Sequence, residues 1–145
     1  MAFAGINYVA VLVAAVAGWI IGAVWYGVLG KSWVAALGMT MEEFKAQQAA
    51  KVGKPSGQLP FLLAFAAAII MAWVLAGMIG HLGPGQVTLK NGVISAAFAW
   101  LGFIATTLTV NNAFTGRKFM LTVIDGGYWL TVLIVMGAII GAWGV

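Results

Sequence analysis

Asp125 is the residue whose type and position ask for a chemical explanation. It lies about 9 Å inside the last apolar segment, counted from Phe119 at ~1.5 Å per helical residue, in the run FMLTVIDGGYWLTVLIVMGAIIGAW. In a bilayer, a carboxylate at such a position costs on the order of 3 kcal/mol unless it is paired or protonated. Two roles account for it. In the first, Asp125 is a proton or cation site, or the anchor of a cationic ligand. In the second it is a structural pin, accepting hydrogen bonds from Tyr, Asn or Trp or pairing with Lys31, Arg117 or Lys118. Gly126 and Gly127 follow it directly and let a helix or ligand come close to the backbone. The polar residues able to join it, Tyr26, Lys31, Asn111, Asn112 and Tyr128, cluster towards the same end of the apolar segments. Asp125 and Tyr128 share a helix face at i, i+3, and Thr107 and Asn111 are one turn apart and can face the same neighbour. The middle of the segments is nearly bare of polar groups. A polar pocket at one end is therefore expected, and a continuous water path through one chain is not.

Little else in the chain carries chemistry. There are three acidic residues, one His and no Cys. Thiolate nucleophiles, iron–sulfur clusters and zinc–thiolate sites are thereby excluded, and no triad, phosphate loop or pair of close carboxylates is visible. No enzyme activity, metal or other cofactor is expected. His81, beside Gly-Pro-Gly at the end of the second apolar segment, reads as an interfacial residue in preference to a porphyrin ligand. The net charge of +4 is too small and scattered for a nucleic-acid reader.

The elements that must position Asp125 follow from composition. Of 145 residues, 63% are hydrophobic, 7% are charged and 20 are Gly. A chain this small buries only about 60–70% of its unfolded surface, so the rest of that apolar surface calls for a lipid solvent. Four apolar segments, at about 6–29, 59–82, 91–110 and 119–143, each approach or exceed the ~20 residues of a spanning helix. The first has no basic leader and no clear small-x-small cleavage site, so it reads as a retained helix and not a signal peptide. The expected fold is an all-α, integral membrane four-helix bundle, a single membrane domain over 1–145. Lys31, Lys45, Lys51, Lys54, Arg117 and Lys118 lie on one side of it and Lys90 on the other. By the positive-inside rule the basic loops are cytoplasmic and both termini are periplasmic, in a bacterial inner membrane.

The cytoplasmic segment 30–58 has structure of its own. Thr40 and Glu43 have capping-box spacing, with acids early and lysines late, which predicts a short helix at about 41–51. Residues 32–38 read as an interfacial turn or half-helix ended by Gly38, with Trp33 at headgroup level. VGKPSGQLP reads as a linker. This segment is a bridge between spans, with docking of a partner or of anionic lipid as the sharper alternative.

Small residues recur at four-residue spacing: Gly18 and Gly22, Gly137 and Gly141, Ala76 and Gly80, Gly92 and Ala96. Helix association in membranes relies on such close packing. The strings GWIIGAVW and GAIIGAWG in the first and last spans suit an antiparallel seam between those spans or a contact between protomers. Trp25, Trp33, Trp129 and Trp143 fit an aromatic belt. Trp19, Trp73 and Trp100 lie deeper, where a buried indole needs a partner, and are expected at interhelical contacts.

Trp25-Tyr26 followed by Gly30-Lys31-x-Trp33, and Gly127-Tyr128-Trp129 leading into Gly137-Ala-Ile-Ile-Gly-Ala-Trp143, resemble the bacterial membrane family catalogued as domain of unknown function 1761. The resemblance covers nearly the whole chain. It implies a small multi-span protein and no established reaction; relatives often carry a proline soon after the Trp-Tyr pair, where this chain has Gly27-Val28-Leu29-Gly30. The reading reached is a self-associating structural or accessory subunit, in contact with membrane lipids and with itself, or within a larger membrane complex. The alternative is a small oligomeric transporter or channel that uses Asp125 as a proton or cation site.

Overall fold

Asn7 sets the start of the first helix. Its side-chain oxygen accepts from the Ala10 N–H at 3.1 Å, which satisfies one of the open donors of the first turn. From there α1 runs over Tyr8–Ala36 and stops at Leu37, where Gly38 turns the chain at φ +79°. Residues 32–36 are thus helical and continuous with the span, and the segment ends at Gly38 as expected, so α1 is about 43 Å long at ~1.5 Å per residue. The computed structural model describes residues 2–145.

Helix α2, Met41–Lys51, opens in a capping box: the Glu43 N–H donates to Thr40 Oγ1, and the Thr40 N–H donates to the Glu43 carboxylate. Six residues of the expected linker after it, 55–60, are already helical, because Pro55 occupies the first position of α3, Pro55–Gly80. Proline is suited to that position because its missing N–H would have no partner there anyway. Pro60, in the second turn of α3, removes one further backbone hydrogen bond on an exposed face. Helix α4, Leu89–Phe114, is one rod with a π segment at Trp100–Ala105. Helix α5, Phe119–Trp143, closes the chain. Among the described residues all regular structure is helical, and α1, α3, α4 and α5 are long and apolar enough to cross a membrane.

The helices alternate in direction, and the loops show it. At one end the Asn7 amide donates to the Gly144 carbonyl at 3.3 Å, while the Ala4 N–H donates to Gly80 O at 3.0 Å. Both termini and the α3–α4 loop therefore share that end. At the other end Lys118 Nζ donates to Ala35 O at 3.1 Å, which joins the α4–α5 loop to the end of α1. The core is built from small residues on α1 and α3 (Ala14, Ala15, Ala72, Ala76) against larger ones on α5 (Val132, Met136, Ile140). Helix α5 is the centre of the arrangement: ten of its residues are buried, against two in α4, Gly92 and Ala96. It packs along both α1 and α4, whose backbones do not approach each other.

The glycines decide how close α5 can come to each neighbour. A Cβ at Gly18 would meet the Met136 side chain at 2.6 Å, and one at Gly22 the Tyr128 hydroxyl at 3.0 Å, so these two serve the α1–α5 seam. Gly137 and Gly141 face elsewhere. They pack on α4, where Gly92 and Gly137 lie so close that a Cβ on either would collide with the other's carbonyl oxygen. The two similar strings are thus not apposed; each lines a different seam, and α4 contributes the second through Gly92 and Ala96. Backbone approach of this kind brings Cα–H groups onto facing carbonyls, a weak attraction that recurs where helices touch.

Candidate functional site

Three consecutive residues of α5, Ile124, Asp125 and Gly126, are each held by a side chain from a neighbouring helix. Tyr26 Oη on α1 donates to the Asp125 carboxylate at 2.6 Å. The adjacent Trp25 donates its indole N–H to the Ile124 carbonyl at 3.2 Å. From the opposite side, Trp100 on α4 donates to the Gly126 carbonyl at 2.8 Å. Both carbonyls lie within a helix, so the indoles add second bonds to groups that the helix itself already engages. The result is a three-point clamp that joins α1, α5 and α4 at one level.

Two local features let the clamp form. Gly127 admits the Trp25 ring, since a Cβ there would sit 3.1 Å from it, whereas a Cβ at Gly126 would meet nothing within 4 Å. Gly127 therefore provides the close approach, and Gly126 supplies a carbonyl. On α4, Trp100 is the first residue of the π segment, where the added residue rotates the helix face and frees carbonyls from their usual partners. Thr106 Oγ1 donates to Gly102 O at 2.8 Å, and Thr109 Oγ1 to Ala105 O at 2.6 Å, which satisfies part of that disturbed ladder. Ile104, Leu108 and Asn112 then face the bundle as intermediate residues, while Thr107 and Asn111 point outward and are exposed.

An aromatic column leads from the clamp towards the basic end. Tyr128 meets Tyr26 edge-on at 5.1 Å, Tyr26 meets Trp33 at 5.5 Å, and Trp33 meets Phe44 of α2 at 5.7 Å. Such edge-to-face pairs are worth about 0.5–1.5 kcal/mol each beyond burial. The Trp33 indole also approaches the Asp125 carboxylate. Asp125 is half-buried, and these rings stand between it and the loop side. Helix α2 has no buried residue, and Phe44 ties it to α1 through Trp33.

The structure brings together Asp125, Tyr26 and Tyr128, all within the site expected from sequence. Asn112 takes a separate partner, its amide donating to Thr122 Oγ1 on α5 at 3.0 Å. Asn111 and Lys31 are exposed and lie outside the cluster. The end of α4 is closed by backbone, with the Asn111 carbonyl accepting from the N–H and hydroxyl of Thr115 and the Asn112 carbonyl from the Arg117 N–H. The basic residue nearest the site in sequence, Lys118, reaches Ala35 O instead of Asp125. Thr107 and Asn111 share a face, as their spacing implies, but no neighbour within the chain covers it.

The tryptophans divide differently from the expectation. Trp100 is interhelical, but Trp19 and Trp73 are 44% and 50% exposed on the outer surface, with Trp19 edge-on to Phe65. Trp25, assigned to the belt, belongs to the clamp. Depth along the sequence does not say which side of a helix faces a neighbour, and an apolar helix all round gives no amphipathic signal to decide it. The bonds from Trp25 and Trp100 run to backbone carbonyls, which have no signature in side-chain pattern.

A family model described as protein of unknown function (DUF1761) matches residues 9–141. No curated protein and no solved structure matches the chain.

Proposed function

The chain belongs to the family described as protein of unknown function (DUF1761), and we propose that it is a non-catalytic membrane subunit whose four spans are locked around α5 as one structural unit. The observation that carries this reading is the clamp. The only carboxylate within the spans is engaged by Tyr26, and the carbonyls beside it are engaged by Trp25 and Trp100. An ion path needs polar stations through the whole bilayer, whereas these groups occupy one level and are satisfied by neighbouring helices.

In this proposal the protein is multi-pass, with the end that carries Lys31, Lys45, Lys51, Lys54, Arg117 and Lys118 in the cytoplasm, both termini on the far side, and α2 lying at the cytoplasmic face. It also associates with itself or a larger complex. Support comes from α4, which exposes Phe98, Phe103 and Phe114 and, between them, Thr107 and Asn111. Polar side chains on the outer face of a span serve as interhelical glue, at about 0.6 kcal/mol and up to ~1.7 kcal/mol each.

The test is a pair of substitutions in the purified protein. Asp125→Asn keeps an acceptor for Tyr26 and removes the charge; Asp125→Ala removes both. The structural role predicts that Asp125→Asn retains particle mass by native mass spectrometry and thermal stability in detergent, that Asp125→Ala loses stability, and that neither alters proton or cation flux in proteoliposomes. Flux through the native protein that Asp125→Asn abolishes, with stability intact, would replace this reading with transport.

A further inference from the structure

We infer that the cleft between the end of α1 and the α4–α5 loop binds the phosphate headgroup of an anionic phospholipid. This rests on the membrane placement proposed above. The cleft measures about 260 Å³ and is lined by Leu37 and Gly38 on one side and by Thr115, Gly116, Arg117 and Lys118 on the other. Its charged groups are both cationic. Lys118 uses one proton on Ala35 O and retains two donors, while the Arg117 guanidinium presents five in a planar fork that matches phosphate oxygens.

Competing acids are engaged elsewhere or lie on another element. Glu43 closes the capping box on Thr40, Asp125 accepts from Tyr26, and Glu42 lies in the first turn of α2. Positive charge in the cleft is thus left for a ligand to neutralise. The flanks identify what kind of ligand. Phe114, on one side of the loop, is 90% exposed and Phe119, on the other, is 73% exposed. Two large aromatic rings beside two cations at the ends of two spans fit a phospholipid, with acyl chains against the rings and the phosphate against the cations. A soluble phosphate would leave both rings in water.

Incorporation into phosphatidylcholine nanodiscs comes first, because failure there would overturn the membrane placement and not the cleft. The cleft is then tested by native mass spectrometry of protein released from nanodiscs of mixed phosphatidylglycerol and phosphatidylcholine. The expected result is preferential retention of phosphatidylglycerol, falling about fivefold for each basic side chain removed in Arg117→Gln and Lys118→Gln, from ~1 kcal/mol per cation at the surface. Lys51→Gln, which removes a cation outside the cleft, leaves retention unchanged. Equal retention of the two lipids, or a Lys51→Gln loss as large as that of Arg117→Gln, overturns the site. Displacement of the lipid by millimolar inorganic phosphate would overturn the lipid assignment.

Discussion

Gly92→Ala tests whether the α4–α5 seam is set by backbone contact. In a helix interior, Ala is intrinsically better than Gly by about 1 kcal/mol, so propensity alone predicts a more stable protein. Packing predicts the reverse. A Cβ at Gly92 would collide with the Gly137 carbonyl oxygen, and would lie 2.9 Å from its carbon and 3.2 Å from Gly141 Cα. These are backbone atoms that cannot swing aside, so the helices must part by about 1 Å. Overpacking of this kind costs about 1–3 kcal/mol. The same separation stretches the Trp100–Gly126 bond of 2.8 Å, and an interhelical hydrogen bond contributes about 0.6 kcal/mol, at most ~1.7 kcal/mol. After subtracting the propensity gain, Gly92→Ala should destabilise by about 1–3 kcal/mol. Gly27, on the exposed side of α1, has nothing within 4 Å of its Cβ position and serves as the control, with Gly27→Ala neutral or stabilising by up to ~1 kcal/mol. Both are measured by reversible unfolding in mixed micelles, followed by circular dichroism. If Gly92→Ala unfolds at the same detergent fraction as Gly27→Ala, the close seam is refuted.

The glycine pair at the clamp should behave unequally under the same assay: Gly126→Ala is tolerated, while Gly127→Ala presses on the Trp25 ring 3.1 Å away and costs about 1 kcal/mol or more. Trp100→Phe keeps most of the ring but loses the bond to Gly126 O, for an expected loss of about 0.6–1.7 kcal/mol and faster amide exchange around Gly126. Thr40→Ala removes the capping box and should cost about 1 kcal/mol of α2 stability, read as increased exchange in 41–51 with the four long helices unchanged.

The long helices were legible because their signal is length and apolarity. The Thr40–Glu43 box was legible because capping is local in sequence. Pairing between helices was less so. GWIIGAVW and GAIIGAWG look like partners, yet Gly18 faces Met136 while Gly137 faces Gly92. All four long helices are apolar nearly all round, so their sequences do not say which face meets which neighbour. Asp125 could be singled out from the cost of a carboxylate in hydrocarbon, and Tyr26 and Tyr128 from being polar at the same level. The Trp25 and Trp100 bonds end on backbone carbonyls, and the π segment depends on how α4 packs, so neither could be read from residue types. Pro55 also shows the limit of composition: it resembles a linker residue but starts a helix, since its fixed φ suits a first turn.

Whether Asp125 holds α1 to α5 as an acceptor for Tyr26 is read from a double-mutant cycle. Tyr26→Phe, Asp125→Ala and the double variant are compared with the native protein by reversible unfolding in mixed micelles. Removing a bond of 2.6 Å predicts a coupling of about 1–2 kcal/mol between the two sites. A coupling within ~0.3 kcal/mol of zero, the level at which independent sites add, would mean that the carboxylate does not hold α1 to α5 and that its place in the span has another reason.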